Sequence, residues 1–160
     1  MRRRHFIHKV SVATGLLATG AIPAEAFSGF DDITRLTILH TNDMHSRIEP
    51  FPMDGGKLQG MGGMARRAAM IKKLRKENSN TLLLDAGDIF QGTPYFNVFG
   101  GEVEFKLMSE MGYDAATMGN HDFDGGIDGF EEQLVHADFP FTVANYDFSD
   151  TILNNRTKEY

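Results

Sequence analysis

The 160-residue chain combines 41% apolar with 24% charged residues and contains no cysteine. This composition is typical of a globular protein and argues against a disordered, collagen-like or low-complexity chain. Without cysteine, the chain cannot form disulfide frameworks, cysteine zinc sites, iron–sulfur clusters or thiol nucleophiles, so any metal must be held by His, Asp, Glu or Asn. The formal net charge of −6 gives no support to nucleic-acid binding, which normally requires a basic face. The length predicts one domain or part of one.

The N-terminus, residues 1–26, has the three parts of a cleavable signal peptide. It starts with basic residues, continues with an apolar stretch over residues 10–22 and ends with Ala24-Glu25-Ala26. The apolar stretch is too short to span a bilayer core of roughly 30 Å, so we expect no stable membrane span. Arg3-Arg4-His5-Phe6-Ile7 resembles a twin-arginine signal, with a general secretory signal as the alternative. We therefore predict an exported protein, located in the periplasm or outside the cell.

The remaining residues alternate short apolar runs with amphipathic segments. The apolar runs predict buried strands, the first of them covered on both faces, at Leu36–His40, Thr81–Asp85, Ala115–Met118 and Phe141–Ala144. Apolar residues at helical spacing predict helices at Met64–Glu77, at Val103–Met111 with Gly112 as a C-terminal cap, and at Ile127–Ala137. Residues 41–63, with prolines and glycines, predict a long functional loop. The alternation of strands and helices predicts a layered α/β fold.

Polar residues follow each predicted strand directly. Ligands bind outside the carboxyl ends of the strands in open α/β sheets, so we expect these residues to converge. Asp43 and His45, two positions apart on a segment expected to be extended, would point the same way and chelate one ion. Asp88 has two carboxylate oxygens that could bridge two ions, and Asn120 offers a neutral oxygen. Each residue taken singly has a turn or cap explanation, but ligand types at three strand ends together favour a metal site.

Three motifs in this order resemble those of the calcineurin-like metallophosphoesterases, and their long forms resemble those of exported 5′-nucleotidases. The motifs are Thr37–His45, Asp85–Gln91 and Gly119–Asp124. The resemblance implies a layered β-sandwich flanked by helices (αββα), of which this chain holds an N-terminal portion. It also implies two divalent ions (Zn, Mn, Mg, Ca or Co) that generate a hydroxide to hydrolyse nucleoside phosphates.

The resemblance further implies a role for each motif residue. Asp43 and His45 would bind the first metal, Asp88 would bridge both metals, and Asn120 would bind the second. His121, oriented by Asp124, would be the catalytic histidine. Asp122 lies between this pair and is expected to face elsewhere, with no role assigned to it.

The chain departs from the family pattern after His121. The later histidine motifs that complete the dinuclear site are missing, and only His136 follows, without such a motif. We therefore expect residues 27–160 to be the N-terminal part of a catalytic domain, lacking the rest of that domain and a C-terminal nucleotide-binding domain. The expected partner is a small nucleotide or phosphate ester, not a nucleic acid. Alternatives are a non-catalytic metal-binding fragment, a 2′,3′-cyclic phosphodiesterase or a thiosulfohydrolase.

Overall fold

Three parallel strands form the central sheet of the computed structural model, which describes residues 34–159. The strands are β1 (Thr37–Thr41), β2 (Thr81–Asp85) and β3 (Ala115–Ala116), in the order β1-β2-β3. Because the strands are parallel, their carboxyl ends lie at one edge of the sheet. The predicted signal peptide lies outside the described residues.

A second, two-stranded parallel sheet follows the first along the chain. It pairs β4 (Thr142–Val143) with β5 (Lys158–Glu159), a strand that the sequence did not predict. A parallel bridge between Ala116 and Phe141 joins the two sheets. The predicted strands after β2 were too long, because β3 and β4 keep regular pairing over only two residues each.

The helices are short, and most of them follow a strand. They are α1 (Met64–Glu77), α2 (Pro94–Phe99), α3 (Glu102–Met111) and α4 (Gly126–Gln133). Two 3₁₀ turns cover His121–Phe123 and Leu134–His136. None of the helices within residues 34–159 has the length and apolar character needed to cross a bilayer.

The helix predictions are confirmed for α1 and α3 and were incomplete elsewhere. α3 ends as expected at Gly112, whose left-handed backbone (φ 72°) lets its N–H donate to the carbonyls of Met108 and Ser109. The helix expected up to Ala137 is wrong beyond Gln133, because its last turn tightens into a 3₁₀ turn. Helix α2 was not predicted.

Phenylalanine rings form the centre of the core. Phe90, Phe105, Phe130 and Phe141 are each at most 2% exposed. The ring centroids of Phe105 lie 4.8 Å from Phe90 and 5.2 Å from Phe141. Phe90 lies in the loop after β2, two residues beyond Asp88, so this packing fixes that loop against the helices.

The first strand is covered on one face only, which corrects the expectation of cover on both. Leu39 and Leu83 pack into the core, whereas Leu36 and Ile38 are 60% and 57% exposed. Side chains alternate between the faces of a strand, and within residues 34–159 nothing buries the second face of β1. The predicted α/β class is confirmed by the parallel sheet and the helices packed against it.

Candidate metal centre

Three predicted ligands come together where β1 and β2 end. Asp43, His45 and Asp88 each place one ligand atom within 4.8 Å of the other two. His45 Nδ1 lies 3.3 Å from the carbonyl oxygen of Phe90, which can only accept, so Nδ1 carries the proton and Nε2 keeps its lone pair. That Nε2 lies 3.8 Å from Asp43 Oδ1. Two carboxylates and an imidazole nitrogen at this spacing fit a divalent metal ion.

The backbone that carries these ligands is not extended, and the expectation of an extended Asp43–His45 segment is wrong. Asp43, His45 and Asp88 have positive φ angles of 50°, 47° and 55°. The loops after β1 and β2 bond to each other, with Asp43 N–H donating to the Gly87 carbonyl (2.9 Å) and His45 N–H to the Asp88 carbonyl (3.0 Å). The ligands therefore converge through pairing of two loops. Such left-handed non-glycine residues cluster at functional sites.

The predicted catalytic pair lies against this donor set. His121 Nδ1–H donates to Asp124 Oδ2 over 3.0 Å, and the His121 ring packs edge-on against His45 with centroids 5.2 Å apart. The hydrogen bond to Asp124 raises the pKa of His121, partial desolvation opposes this, and the charges of Asp124, Asp88 and Asp122 add to the rise. The structure thus brings His121 and Asp124 together beside His45 and Asp88.

The loop after β3 touches Asp88 through its backbone. His121 N–H donates to Asp88 Oδ1 over 3.0 Å. A Cβ on Gly119 would lie 2.1 Å from Asp88 Oδ1, and one on Gly87 would lie 2.3 Å from Gly119 N, so only glycine allows this approach. Asn120 lies between Gly119 and His121 with an exposed side chain. Its backbone neighbours on both sides therefore contact Asp88.

Asp122 is a site residue whose function the sequence analysis missed. As expected, it does not join the histidine pair; it points inward and is 1% exposed. Its Oδ1 accepts the backbone N–H groups of Ile89 (2.8 Å) and Phe90 (3.0 Å), and its Oδ2 accepts those of Asp88 (2.9 Å) and Gly119 (2.8 Å). Burial raises the pKa of Asp122, and these four hydrogen bonds oppose the rise.

Asp85 is a second buried carboxyl group that sequence reasoning did not single out. It is 4% exposed, accepts from Thr41 Oγ1 over 2.5 Å and accepts from Gly87 N–H over 2.9 Å. Thr41 Oγ1 also lies 2.7 Å from the Tyr113 hydroxyl. Burial raises the pKa of Asp85 to about 6, and the hydrogen bonds from Thr41 and Gly87 reduce that rise.

Comparison with known proteins identifies the family. Residues 36–158 match the family described as calcineurin-like phosphoesterase. The chain belongs to this family. Calcineurin-like phosphoesterases use a binuclear centre of divalent metal ions, and Asp43, His45 and Asp88 form a candidate metal-binding group for it.

Several 5′-nucleotidases resemble this calcineurin-like phosphoesterase chain. A snake venom 5′-nucleotidase from Gloydius brevicauda is 48% identical over 75% of this chain and 21% of its own length. The 5′-nucleotidase of Homo sapiens is 44% identical over 83% of this chain and 23% of its own length. The crystal structure of a 5′-nucleotidase precursor from Thermus thermophilus is 39% identical, with a TM-score of 0.69 over 76% of this chain and 24% of that one. The chain thus spans less than a quarter of the length of the two curated relatives and about a quarter of the solved structure.

Proposed function

We propose that residues 27–160 are the N-terminal part of the catalytic domain of an exported, metal-dependent 5′-nucleotidase. One observation carries this proposal: the donor set of Asp43, His45 and Asp88 lies directly beside the His121–Asp124 pair. Metal ligands next to a hydrogen-bonded histidine supply the groups that phosphate ester hydrolysis requires. The similarity to proteins named 5′-nucleotidases supports a nucleoside phosphate as the substrate.

The chain's own residues divide between two metal positions in this proposal. Asp43, His45 and Asp88 would hold one ion, and Asp88 with Asn120 would contribute to a second. When bound, such ions polarise phosphoryl oxygens and lower the pKa of water to give a hydroxide nucleophile. Asp88 suits the bridging position because a carboxylate has about four acceptor sites and His121 N–H uses one of them.

His121 acts on the substrate in this proposal. Because Asp124 fixes the proton on Nδ1, the other ring nitrogen, Nε2, remains available to the phosphate ester. The raised pKa keeps a larger fraction of His121 protonated near neutral pH. A protonated Nε2 can donate its proton to the leaving alkoxide or stabilise the negative phosphoryl group. Asp124 orients the ring and stabilises its positive charge.

Substrate assays on the full-length gene product test the proposal. The protein is stripped of metal with a chelator and assayed on AMP, a 2′,3′-cyclic nucleotide and a thiosulfonate, before and after Mn²⁺, Co²⁺ or Zn²⁺ is returned. We expect metal-dependent phosphate release from AMP. Failure on both phosphate substrates would refute the phosphoesterase assignment, and hydrolysis of only the cyclic substrate would replace the nucleotidase assignment.

The same assays on the 160-residue chain test whether it is a fragment. We expect weak metal binding and little turnover, since three clustered ligand side chains leave coordination positions unfilled. Tight binding of two ions with robust phosphate release from this chain alone would contradict the fragment proposal.

Export by the twin-arginine route is part of the proposal. Replacing Arg3 and Arg4 together by Lys keeps the positive charge but removes the arginine pair. We expect this double variant to remain in the cytoplasm, as detected by fractionation. The matched control, Arg2→Lys, changes an arginine outside the pair and should be exported normally. Normal export of the double variant would instead assign the general secretory route.

A further inference from the structure

We propose that Asp122 is the positioning residue of the metal centre, which fixes Asp88 and the turn from Gly119 to His121 in the geometry that binds the ions. The inference rests on the proposed metal site and adds to it a residue that is neither ligand nor catalytic group. Four backbone hydrogen bonds of 2.8–3.0 Å, three from the loop after β2 and one from the loop after β3, end on this single carboxylate.

The four hydrogen bonds to its carboxylate exclude Asp122 as a metal ligand. A carboxylate offers about four lone-pair sites, and the N–H groups of Asp88, Ile89, Phe90 and Gly119 occupy that number. The side chain is also 1% exposed, so neither substrate nor solvent reaches it. Its contribution must therefore pass through the backbone that it holds.

The backbone held by Asp122 includes one of the strained residues of the site, Asp88. Asp88 has φ 55°, a left-handed conformation that is unfavourable for a non-glycine residue and persists only where its surroundings enforce it. Asp122 accepts the N–H of Asp88 itself and of the next two residues. On the other loop it accepts the N–H of Gly119, which lies close to Asp88. Two residues further along the chain, His121 N–H donates to Asp88 Oδ1. One carboxylate thus sets both the conformation of Asp88 and the position of His121.

A carboxylate is required at position 122 because all four of its partners are N–H donors, so both ends of the side chain must be acceptors. The amide of Asn has the same shape, but one of its two ends is an NH₂ donor. In Asp122→Asn, that NH₂ group must face two backbone N–H groups, either those of Ile89 and Phe90 or those of Asp88 and Gly119. In the first orientation the loop after β2 loses two of its three bonds to residue 122, and in the second orientation each loop loses one.

The test compares Asp122→Asn with Asp150→Asn in the full-length protein. Both substitutions remove one negative charge, but Asp150 is exposed. Metal-free proteins are titrated with Co²⁺, binding is measured by calorimetry and the visible absorption reports coordination. We expect Co²⁺ affinity to fall roughly 10–100-fold in Asp122→Asn, as for other outer partners of metal ligands, with an altered spectrum. Asp150→Asn should match the wild type.

Circular dichroism and thermal melting separate positioning from stability. A folded Asp122→Asn variant with a lower melting temperature but wild-type Co²⁺ affinity and spectrum would overturn the proposal. Because binding is measured without nucleotide, loss of Co²⁺ affinity supports the positioning role even where AMP proves not to be the substrate. Absence of Co²⁺ binding in the wild-type protein would refute the proposed metal site, and the inference with it.

Hydrogen exchange on the wild-type protein keeps the proposal testable where Asp122→Asn does not fold. In the metal-free protein, we expect the amides of residues 88, 89, 90 and 119 to exchange together and far more slowly than the amide of exposed Asp150. Rapid exchange of these four amides would show that the carboxylate does not hold both loops, and would overturn the inference.

Discussion

Asp85 is the buried last residue of β2, three positions before Asp88, and we predict that Asp85→Asn stabilises the protein at neutral pH. The substitution removes a buried charge without leaving a polar atom unpaired. The Asn carbonyl can accept the Gly87 N–H in place of Asp85 Oδ1. Its NH₂ group can donate to Thr41 Oγ1, which in turn can donate to the Tyr113 hydroxyl. The variant therefore resembles the protonated form of Asp85.

The magnitude follows from the pKa of Asp85. Burial raises this pKa from 3.8 to about 6, which at about 1.4 kcal/mol per unit corresponds to roughly 3 kcal/mol. The folded state binds the proton more tightly than the unfolded state, so this group destabilises the fold increasingly as the pH rises from about 4 to about 6. Above that range the full cost of about 3 kcal/mol applies, and below about pH 4 it vanishes.

Urea denaturation of Asp85→Asn and the wild type between pH 4 and 8 measures this effect. The difference in the free energy of unfolding should be near zero at pH 4 and rise to about 2–3 kcal/mol in favour of the variant at pH 8. Asp150→Asn serves as the control, because this exposed carboxyl should produce no such trend. A variant less stable than the wild type at pH 8, or a difference independent of pH, would refute the reasoning.

Three further substitutions test the site in the full-length protein. Asp88→Asn should lower metal content, measured by elemental analysis, and AMP hydrolysis more than Asn120→Asp does; equal metal retention would contradict the bridging role. His121→Ala should keep its metal while kcat falls roughly 10²–10⁴-fold, and loss of metal would contradict a purely catalytic role. Gly119→Ala places a Cβ 2.1 Å from Asp88 Oδ1 and should therefore weaken both Co²⁺ binding and thermal stability. The control, Gly129→Ala, has open space around its Cβ and should weaken neither.

The elements that the sequence predicted best are those with a local hydrophobic signal. Thr81–Asp85 and Met64–Glu77 have the predicted bounds, because an apolar run and a helical period can be read within one segment. Helix α2 lacks this signal, since none of its residues is buried. Pro94 at its start and Gly100 at its end were the only cues to it. The exposure of one face of β1 could not be predicted from its apolar run, because no local pattern reports what packs against a strand.

The sequence predicted which residues are candidate metal ligands, but not the backbone conformation that brings them together. Asp43, His45 and Asp88 stood out because each follows a strand end. Their convergence depends on left-handed backbone angles that are enforced by hydrogen bonds between two loops more than 40 positions apart. Nothing within either loop alone specifies that pairing. Sequence reasoning thus predicted that these residues converge, as the structure shows, but from an incorrect local conformation.

The contrast between Asp122 and Asp124 shows what decides the role of an acidic residue here. Both follow His121 closely, and residue type alone does not distinguish them. The 3₁₀ turn His121–Phe123 repeats every three residues, so Asp124 falls on the same side as His121 while Asp122 points away. On that inner side, backbone N–H groups of two loops need acceptors, because an unpaired buried donor costs about 1–3 kcal/mol. Asp122 satisfies four of them, and the turn thereby pairs Asp124 with His121 and Asp122 with the backbone around Asp88.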